Sequence, residues 1–186
     1  MNESLNLPEN GVPARREFPA PIGKLLDLTL TASGTGRATV EFRASARFAN
    51  PMGTLHGGVL CDIADAAMGV AYSSTLAEGE TFTTIELKIN FLRPVWNARL
   101  RGEAMVVRAG KMVGLVECNI FDEKERLVAR ASSTCMRLRG RLAEGRELGV
   151  LVSRPGVRFP GLLTKTPMSK PCGNVQRGTV LKCTNT

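Results

Sequence analysis

Alternating apolar and polar residues mark the first predicted strands of the chain. Residues 26–31 and 37–44 each alternate in this way, and the glycine-bearing segment 33–36 lies between them. Two alternating runs joined by such a loop are typical of a β-hairpin. We therefore predict a hairpin near the start of the folded region.

The pattern changes after residue 56 to apolar or small side chains on nearly every side. Val59, Leu60, Ile63 and Ala67 belong to this run, which extends over residues 57–77. A helix that is apolar all round is one that other elements surround. The run therefore predicts a buried helix, which we expect to stop at the glycine that follows residue 78.

Residues 82–91 return to strict alternation. The apolar set is Ile85, Leu87, Ile89 and Phe91, and the polar set includes Thr84. Pro94 ends the run, because proline cannot donate a hydrogen bond to a central ladder. This pattern predicts a strand with one apolar face.

Three further alternating runs, 99–108, 112–121 and 127–138, follow at hairpin spacing. No internal repeat interrupts residues 20–139. One long buried helix followed by an antiparallel meander predicts an α+β fold, in which the sheet wraps around the helix.

Positive charge is concentrated at one end of the chain, whose net charge is +8. Residues 140–186 hold eight Lys or Arg against two Glu, and their apolar residues are scattered. Such a segment gains too little from burial to offset the entropy of ordering. We therefore predict three regions: an N-terminal lead-in (1–19), a folded domain (20–139) and a basic, disordered tail (140–186). A solvated tail is favoured over a nucleic-acid-binding one.

Cysteine and histidine usage argues against a metal or disulfide framework. The five cysteines are odd in number and show no CxxC pair, and there is one histidine. No apolar stretch reaches membrane-spanning length, and the N-terminus lacks the apolar block of a signal peptide. We expect a cytoplasmic protein without metal, cofactor or membrane contact.

The start of the predicted helix carries candidate chemistry. A helix N-terminus offers unpaired N–H groups and a partial positive charge, and two residues without Cβ atoms, Gly57 and Gly58, would let a substrate oxygen approach that backbone. Such donors can stabilise a developing oxyanion. The alternative is that the two glycines only permit a tight turn into the helix.

Two carboxylates, Asp62 and Asp65, lie on the same otherwise apolar helix, where an uncompensated charge is costly to bury. An ionised Asp can attack a carbonyl or take a proton from water. The alternative is that both cap, pair with an arginine or reach solvent. For His56, a structural role in the loop is the safer assumption, because no Ser or Cys nucleophile lies nearby in sequence.

The motif Asn50-x5-His56-Gly57-Gly58-x6-Asp65, followed by the strand that ends in Arg93-Pro94, resembles the PaaI-like family of hotdog-fold acyl-CoA thioesterases. The resemblance covers residues 20–139. It implies that Asp65 is the catalytic carboxylate, acting as nucleophile or general base, and that the Gly57 N–H polarises the thioester carbonyl. Asn50 and His56 match the loop residues that shape the pocket and hold the reacting group, and Thr84 matches a hydroxyl residue that positions water, so the resemblance makes all three further catalytic candidates. Asp62 has no catalytic counterpart.

The resemblance further implies hydrolysis of an acyl-CoA to a carboxylic acid and free CoA, without cofactor. It implies a homodimer or homotetramer in which Gly57 acts with Asp65 of a second copy. Gly58 is a candidate for substrate binding, and Arg93 and Lys111 for the CoA phosphates. The main rival is a non-catalytic acyl-CoA-binding or sensing hotdog module. A hotdog hydratase is a weaker alternative, because that class resembles a different loop in which Asp and His act together.

Overall fold

A computed structural model describes residues 16–18 and 20–146 of the 186-residue chain. That part contains two α-helices, seven strands and two short 3-10 turns. The helices are α1 Pro21–Leu26 and α2 Gly57–Ser73. The strands are β1 Arg16–Glu17, β2 Thr29–Gly34, β3 Arg37–Arg43, β4 Thr81–Phe91, β5 Arg99–Ala109, β6 Val113–Asp122 and β7 Leu127–Leu138. The 3-10 turns are Ala46–Phe48 and Gly140–Leu142.

The described strands form one antiparallel sheet in the order β1-β2-β3-β5-β6-β7-β4. Helix α2 packs on one face of it, chiefly against β3, β5 and β6. The approach is close at Gly102, where a Cβ atom would lie 3.0 Å from Ile63 Cγ2. The predicted α+β fold with an antiparallel sheet is confirmed, and the long central helix is confirmed in part, because α2 packs on one face of the sheet and is shorter than predicted.

The first hairpin begins later than the sequence predicts. Residues 29–34 and 37–43 pair as strands, but residue 26 ends α1 and Asp27 turns the chain in the left-handed region at φ 55°. Pro21 is pre-organised for the first helical turn, which favours a helix over an extended start. The hairpin is confirmed, and its predicted start at residue 26 is wrong.

Helix α2 ends at Ser73, four residues before the predicted end at 77. The hydroxyls of Ser73, Ser74 and Thr75 donate to the carbonyls of Val70, Ala71 and Tyr72 at 2.7–2.9 Å. Side chains that bond to nearby carbonyls compete with the helical ladder and favour helix ends. Gly79, with φ of +75°, lies in the following turn and does not form the helix cap.

Strand β4 departs from strict alternation. Thr84 lies opposite Cys135 and Glu86 lies opposite Thr134, so Ile85 is an extra residue in a β-bulge. The Ile85 side chain is 55% exposed. Grouping Ile85 with the helix-facing residues is therefore wrong, because Thr84 takes that face instead.

The ordered region starts before the predicted boundary at residue 20. Arg16 and Glu17 pair with β2, and Phe18 is buried in the core. The structure describes residues 140–146 at the other end, including a 3-10 turn. The predicted disordered tail lies outside the described residues from 147 onward, as does the lead-in before residue 16. No helix of the described part is long and apolar enough to span a membrane.

Candidate active site

The N-terminus of α2 leaves one backbone donor free. The His56 side chain caps the helix, with Nδ1 accepting from the Gly58 N–H at 3.0 Å, and the His56 carbonyl accepts from the Val59 N–H at 3.1 Å. The Gly57 N–H has no hydrogen-bond partner among the described residues. Of the two glycines, Gly57 therefore presents its N–H, whereas Gly58 gives its N–H to the cap.

The side chain of Asn50 organises the loop before the helix. Its Oδ1 accepts from the backbone N–H groups of Met52 and Thr54 at 2.9 and 3.2 Å, and its Nδ2 donates to Thr54 Oγ1 at 2.8 Å. Gly53, with φ of +80°, completes this tight turn. Asn50 thus fixes the loop that forms one wall of the adjacent cavity.

A cavity of about 390 Å³ opens beside the free donor. Gly57 lines it, and so does Arg93 at the end of β4. The remaining lining residues are Asn50, Thr54, Leu55, Leu60, Phe91, Leu92, Pro94 and Val95. An apolar wall beside a few polar groups is typical of a small-molecule site.

Phe91 gives Gly57 a packing role as well. A Cβ atom at position 57 would lie 2.9 Å from Phe91 Cζ, which is closer than side chains pack. The absence of a Cβ therefore lets the ring lie against the helix start. This close approach of Phe91 differs from the tight turn that the sequence offered as the alternative, and φ of Gly57 does not lie in the left-handed region.

Asp65 lies farther along α2, beside Thr84. Thr84 Oγ1 donates to Asp65 Oδ1 at 3.3 Å. The Asp65 residue is exposed, but protein atoms around its carboxylate remove enough solvent to raise its pKa above the usual value, against the lowering effect of the Thr84 hydrogen bond. The result is a carboxylate that is harder to ionise than a free Asp.

Asp62 has a different environment on the same helix. The Asp62 side chain makes no hydrogen bond to the described residues, and its pKa is raised first by loss of solvent and then by the charge of Asp65. Neither carboxylate has an ion-pair partner in the described part of the chain. Of the alternatives offered from the sequence, pairing with an arginine therefore does not apply, whereas access to solvent does, because both residues are exposed.

Gly57 and Asp65 are separated along one helix. Eight residues at 1.5 Å each place them about 12 Å apart along the axis. A single carbonyl cannot touch both groups of one chain. The donor and the carboxylate of one protomer therefore belong to different parts of the surface.

The two predicted phosphate contacts lie at opposite ends of the fold. Arg93 is exposed at the cavity, near the start of α2. Lys111 lies in the β5–β6 turn, next to Gly114, which packs against Tyr72 near the helix end. The structure brings Arg93 to the candidate site and places Lys111 far from it within one chain.

The apolar wall of the cavity is not predicted from the sequence. Leu55, Leu60 and Val95 are buried, and Phe91 closes the wall against Gly57. Leu60 was interpreted only as part of the helix, and the segment after Pro94 was not assigned a role. The sequence gives little signal for this wall, because Val95 lies among other apolar residues, Leu92, Pro94 and Trp96, in the loop after β4.

Metal chemistry has no support in the described residues. Within 16–18 and 20–146, no three His, Cys, Asp or Glu side chains converge as metal ligands. Cys61, Cys118 and Cys135 are free thiols, and burial raises the pKa of Cys118 to about 12. These thiols are poor nucleophiles and poor ligands as they stand.

Comparison with known proteins gives consistent matches. A family model described as "Thioesterase superfamily" matches residues 52–129. A Saccharolobus solfataricus protein named "Putative esterase SSO2140" is 36% identical over 110 residues, which are 59% of this chain and 78% of that protein. The medium/long-chain acyl-CoA thioesterase YigI of Escherichia coli is 32% identical over 95 residues, which are 44% of this chain and 61% of YigI.

The fold comparison points the same way. The structure of the E. coli PaaI protein, from the phenylacetic acid degradation operon, matches with a TM-score of 0.62 and 27% identity. The match covers 66% of this chain and 87% of PaaI. The family-model match at residues 52–129 spans α2 and the strands β4, β5 and β6. The chain therefore belongs to the thioesterase superfamily, among its PaaI-like hotdog-fold enzymes.

Proposed function

We propose that this protein hydrolyses acyl-CoA thioesters to a carboxylic acid and free CoA. The observation that carries the proposal is Asp65, a partly desolvated carboxylate that lacks an ion-pair partner in the described residues and accepts a hydrogen bond from Thr84. A group held in this way is suited to proton transfer or nucleophilic attack. Membership of the thioesterase superfamily supports the reaction type.

The Gly57 N–H supplies the electrophilic half of the proposed site. It is unpaired among the described residues, lies at the positive end of the α2 dipole and belongs to a residue that lines the cavity. A thioester carbonyl oxygen at this point would gain negative charge in the transition state and accept a hydrogen bond from the N–H. One preorganised donor of this kind contributes about 10²- to 10³-fold in rate.

Asp65 supplies the nucleophilic half by one of two routes. As a nucleophile it attacks the carbonyl carbon, expels the CoA thiolate and forms a mixed anhydride that water hydrolyses. As a general base it takes a proton from the water that attacks. Thr84 fits either route, because its hydroxyl lies where it can hold the carboxylate or the water. The reaction needs only water as its second substrate.

The 12 Å separation supports a site built from two copies of the chain. Strand β4 lies at the edge of the sheet, runs for 11 residues and pairs only with β7 among the described strands. An unprotected edge of this length is a template for pairing with another strand. We propose a homodimer, or a homotetramer of such dimers, in which Gly57 of one chain faces Asp65 of the other.

The remaining candidate residues have supporting roles in this proposal. His56 caps the helix and Asn50 holds the loop, so both shape the pocket in which the reacting group is held. Arg93 is exposed at the cavity and is a candidate for CoA phosphates. In the proposed oligomer, Lys111 would have to contact CoA from another chain, and Gly58 would bind substrate through its position and not through its N–H.

The relatives do not agree on one acyl group. YigI is named for medium- and long-chain acyl-CoA, and a relative from Klebsiella pneumoniae is named a proofreading thioesterase. We therefore propose acyl-CoA as the substrate class without a chain length. A non-catalytic acyl-CoA-binding module is the alternative that the test must separate.

The test is a hydrolysis screen across aromatic, medium-chain and long-chain acyl-CoAs, with detection of the free thiol. On the best substrate, Asp65→Asn should lower kcat by at least about 10²-fold, as expected for loss of a proton-transfer group. Asp62→Asn is the matched control and should change kcat much less. Asp65→Asn should fold normally, because it removes a carboxylate that is costly to desolvate.

The pH dependence adds a second readout. Asp65 must be ionised to act, and its pKa is raised, so the acid limb of kcat/KM should lie above the range of an ordinary Asp. Turnover by Asp65→Asn at the wild-type rate would remove Asp65 from the mechanism. Tight acyl-CoA binding without hydrolysis of any acyl-CoA would favour the binding module.

A further inference from the structure

The bulge in β4 determines which way Thr84 points. Residues 84 and 87 are three apart, so in a regular strand they would face opposite sides of the sheet. Both instead face the side occupied by α2, because Thr84 pairs with Cys135 and Leu87 pairs with Ser133, whose side chains are buried there. The extra residue Ile85 shifts the alternation of side chains between the two faces of the sheet by one position. Without this bulge Thr84 would point away from Asp65.

Ser133 holds the strand immediately after the bulge. Its side chain is fully buried, and Oγ donates to the backbone carbonyl of Glu86 at 3.0 Å. A bulge disrupts the regular ladder of hydrogen bonds. Ser133 therefore supplies a side-chain bond where the ladder is interrupted, one residue beyond Ile85.

Cys135 links this anchor to Thr84. Its Sγ lies 3.8 Å from Ser133 Oγ, and its thiol also interacts with the Thr84 hydroxyl across the strand pair. Contacts to sulfur are weak hydrogen bonds. The shortest hydrogen bond in the series is the one from Ser133 to the Glu86 carbonyl at 3.0 Å, the Thr84 bond to Asp65 is longer at 3.3 Å, and Cys135 lies between them.

We infer that Ser133 is a positioning residue, which fixes the β4 bulge and thereby holds the Thr84 hydroxyl against Asp65. Ser133 acts on the site only through Thr84. The inference rests on the proposed function in one respect, the catalytic use of Asp65. The structural part of the inference, that Ser133 of β7 affects the surroundings of Asp65 through Thr84, does not depend on turnover.

Few titratable groups face Asp65, so a change in its pKa can be interpreted. Asp62 and Cys61 lie on its own helix, Cys135 faces it from β7, and β4 presents Thr84, which does not titrate. The Thr84 hydrogen bond lowers the pKa of Asp65, because it stabilises the charged form. Loosening Thr84 should therefore raise the pKa of Asp65 further.

The experiment uses the full chain with Ser133→Ala, Thr84→Val and the double variant. Ser132→Ala is the matched control, because it makes the same chemical change one residue away on the other face of β7, without a contact to Glu86. The pKa of Asp65 is measured by carbon-13 NMR titration of its carboxyl group, and kcat and KM are measured across pH on the best acyl-CoA.

Ser133→Ala should raise the pKa of Asp65 and move the acid limb of kcat/KM to higher pH, as Thr84→Val does to a larger extent. We expect kcat to fall about 10-fold, less than the 10²- to 10⁴-fold typical of losing the proton-transfer group itself, with KM within twofold of wild type. In the Thr84→Val background, Ser133→Ala should have no further effect. Ser132→Ala should match wild type throughout.

Two results would overturn the inference. One is an unchanged pKa of Asp65 in Ser133→Ala while Thr84→Val raises it. The other is multiplication of the two kcat losses in the double variant, since residues that act through one another do not add independently. If Ser133→Ala does not fold, Ser133→Cys takes its place and is judged by the same two criteria, because a thiol is a much weaker donor than the hydroxyl that it replaces. Failure of the proposed function would instead leave wild type without hydrolysis, and the NMR titration would still decide the structural part of the inference.

Discussion

The two halves of α2 differ in how many of their polar groups have hydrogen-bond or ion-pair partners. In the second half, from Ala66 onward, the core side chains are buried and hydroxyl groups occupy the last carbonyls. The turn after it is held by Glu80, which contacts both Arg137 and Arg139. In the first half the Gly57 N–H and the Asp62 and Asp65 carboxylates are left without comparable partners in the described structure.

The pKa values of the carboxylates differ in the same way between the two ends of α2. The Glu80 carboxylate has a lowered pKa, first because the Ala77 N–H binds it and then because of the two arginines, whereas Asp62 and Asp65 have raised values. Glu80 is held by ion pairs in the turn after the helix, whereas Asp62 and Asp65 are exposed and have no ion-pair partner in the described residues. Stability given up at a functional site is a common cost of activity.

The largest effect is expected at the N-terminus of α2, with Gly57→Val. The new side chain should obstruct approach to the free N–H and lower the single-turnover rate by about 10²- to 10³-fold, as for loss of an oxyanion donor. Binding of the acyl-CoA should weaken less, because the contacts proposed for CoA do not use the Gly57 N–H. A dissociation constant and a single-turnover rate on the same acyl-CoA check the prediction.

Phe91 provides the control for Gly57→Val. A side chain at position 57 meets the Phe91 ring, so part of the loss could come from displacement of that ring. Adding Phe91→Ala removes the clash. Recovery of the wild-type rate in the double variant would show that Gly57 serves only packing, whereas a persistent loss supports the oxyanion role.

An intermediate effect is expected near the C-terminus of α2, where Gly114 of β6 packs against Tyr72, with Gly114→Ala. A Cβ atom at this position would lie 2.2 Å from Tyr72 Cε2, and the Tyr72 side chain is fully buried. Overpacking of this kind destabilises a core by about 1–3 kcal/mol. Urea unfolding at fixed protein concentration measures it, with Gly34→Ala, which meets no atom within 4 Å, as control. Equal stability of the two variants would contradict tight anchoring.

The smallest effect should come from Tyr72→Phe at the same place. The Tyr72 hydroxyl is buried without a hydrogen-bond partner in the described residues. Removing an unsatisfied buried hydroxyl is neutral or stabilising, so the free energy of unfolding should stay the same or rise by up to about 1 kcal/mol. A clear decrease would indicate that a buried water satisfies this hydroxyl.

The sequence predicts most of the framework because periodicity reports which face is buried. The meander β5–β7 and the α+β class follow from alternation, and the start of α2 at Gly57 follows from the change of period. The end of α2 was missed because three hydroxyl residues terminate it, and the helical pattern of apolar side chains does not report hydrogen bonds to carbonyls.

The candidate site was predictable in part. Gly57 and Asp65 follow from the cost of burying charge and from the helix start, together with the family motif. The contact between Thr84 and Asp65 depends on the Ile85 bulge, and one extra residue reverses every assignment of faces before it. Alternation alone placed Thr84 on the wrong side, and only cross-strand register reveals Ser133.

The spacing of Gly57 and Asp65 on one helix has a genetic consequence. In the proposed two-fold dimer, a chain that carries only Gly57→Val and a chain that carries only Asp65→Asn would each be inactive as a homodimer. Their mixed dimer would hold one pocket with both lesions and one pocket with neither. Co-expression of two dead alleles should therefore restore up to half of the wild-type sites per dimer, and mixing either allele with wild type should spare one pocket in each hybrid.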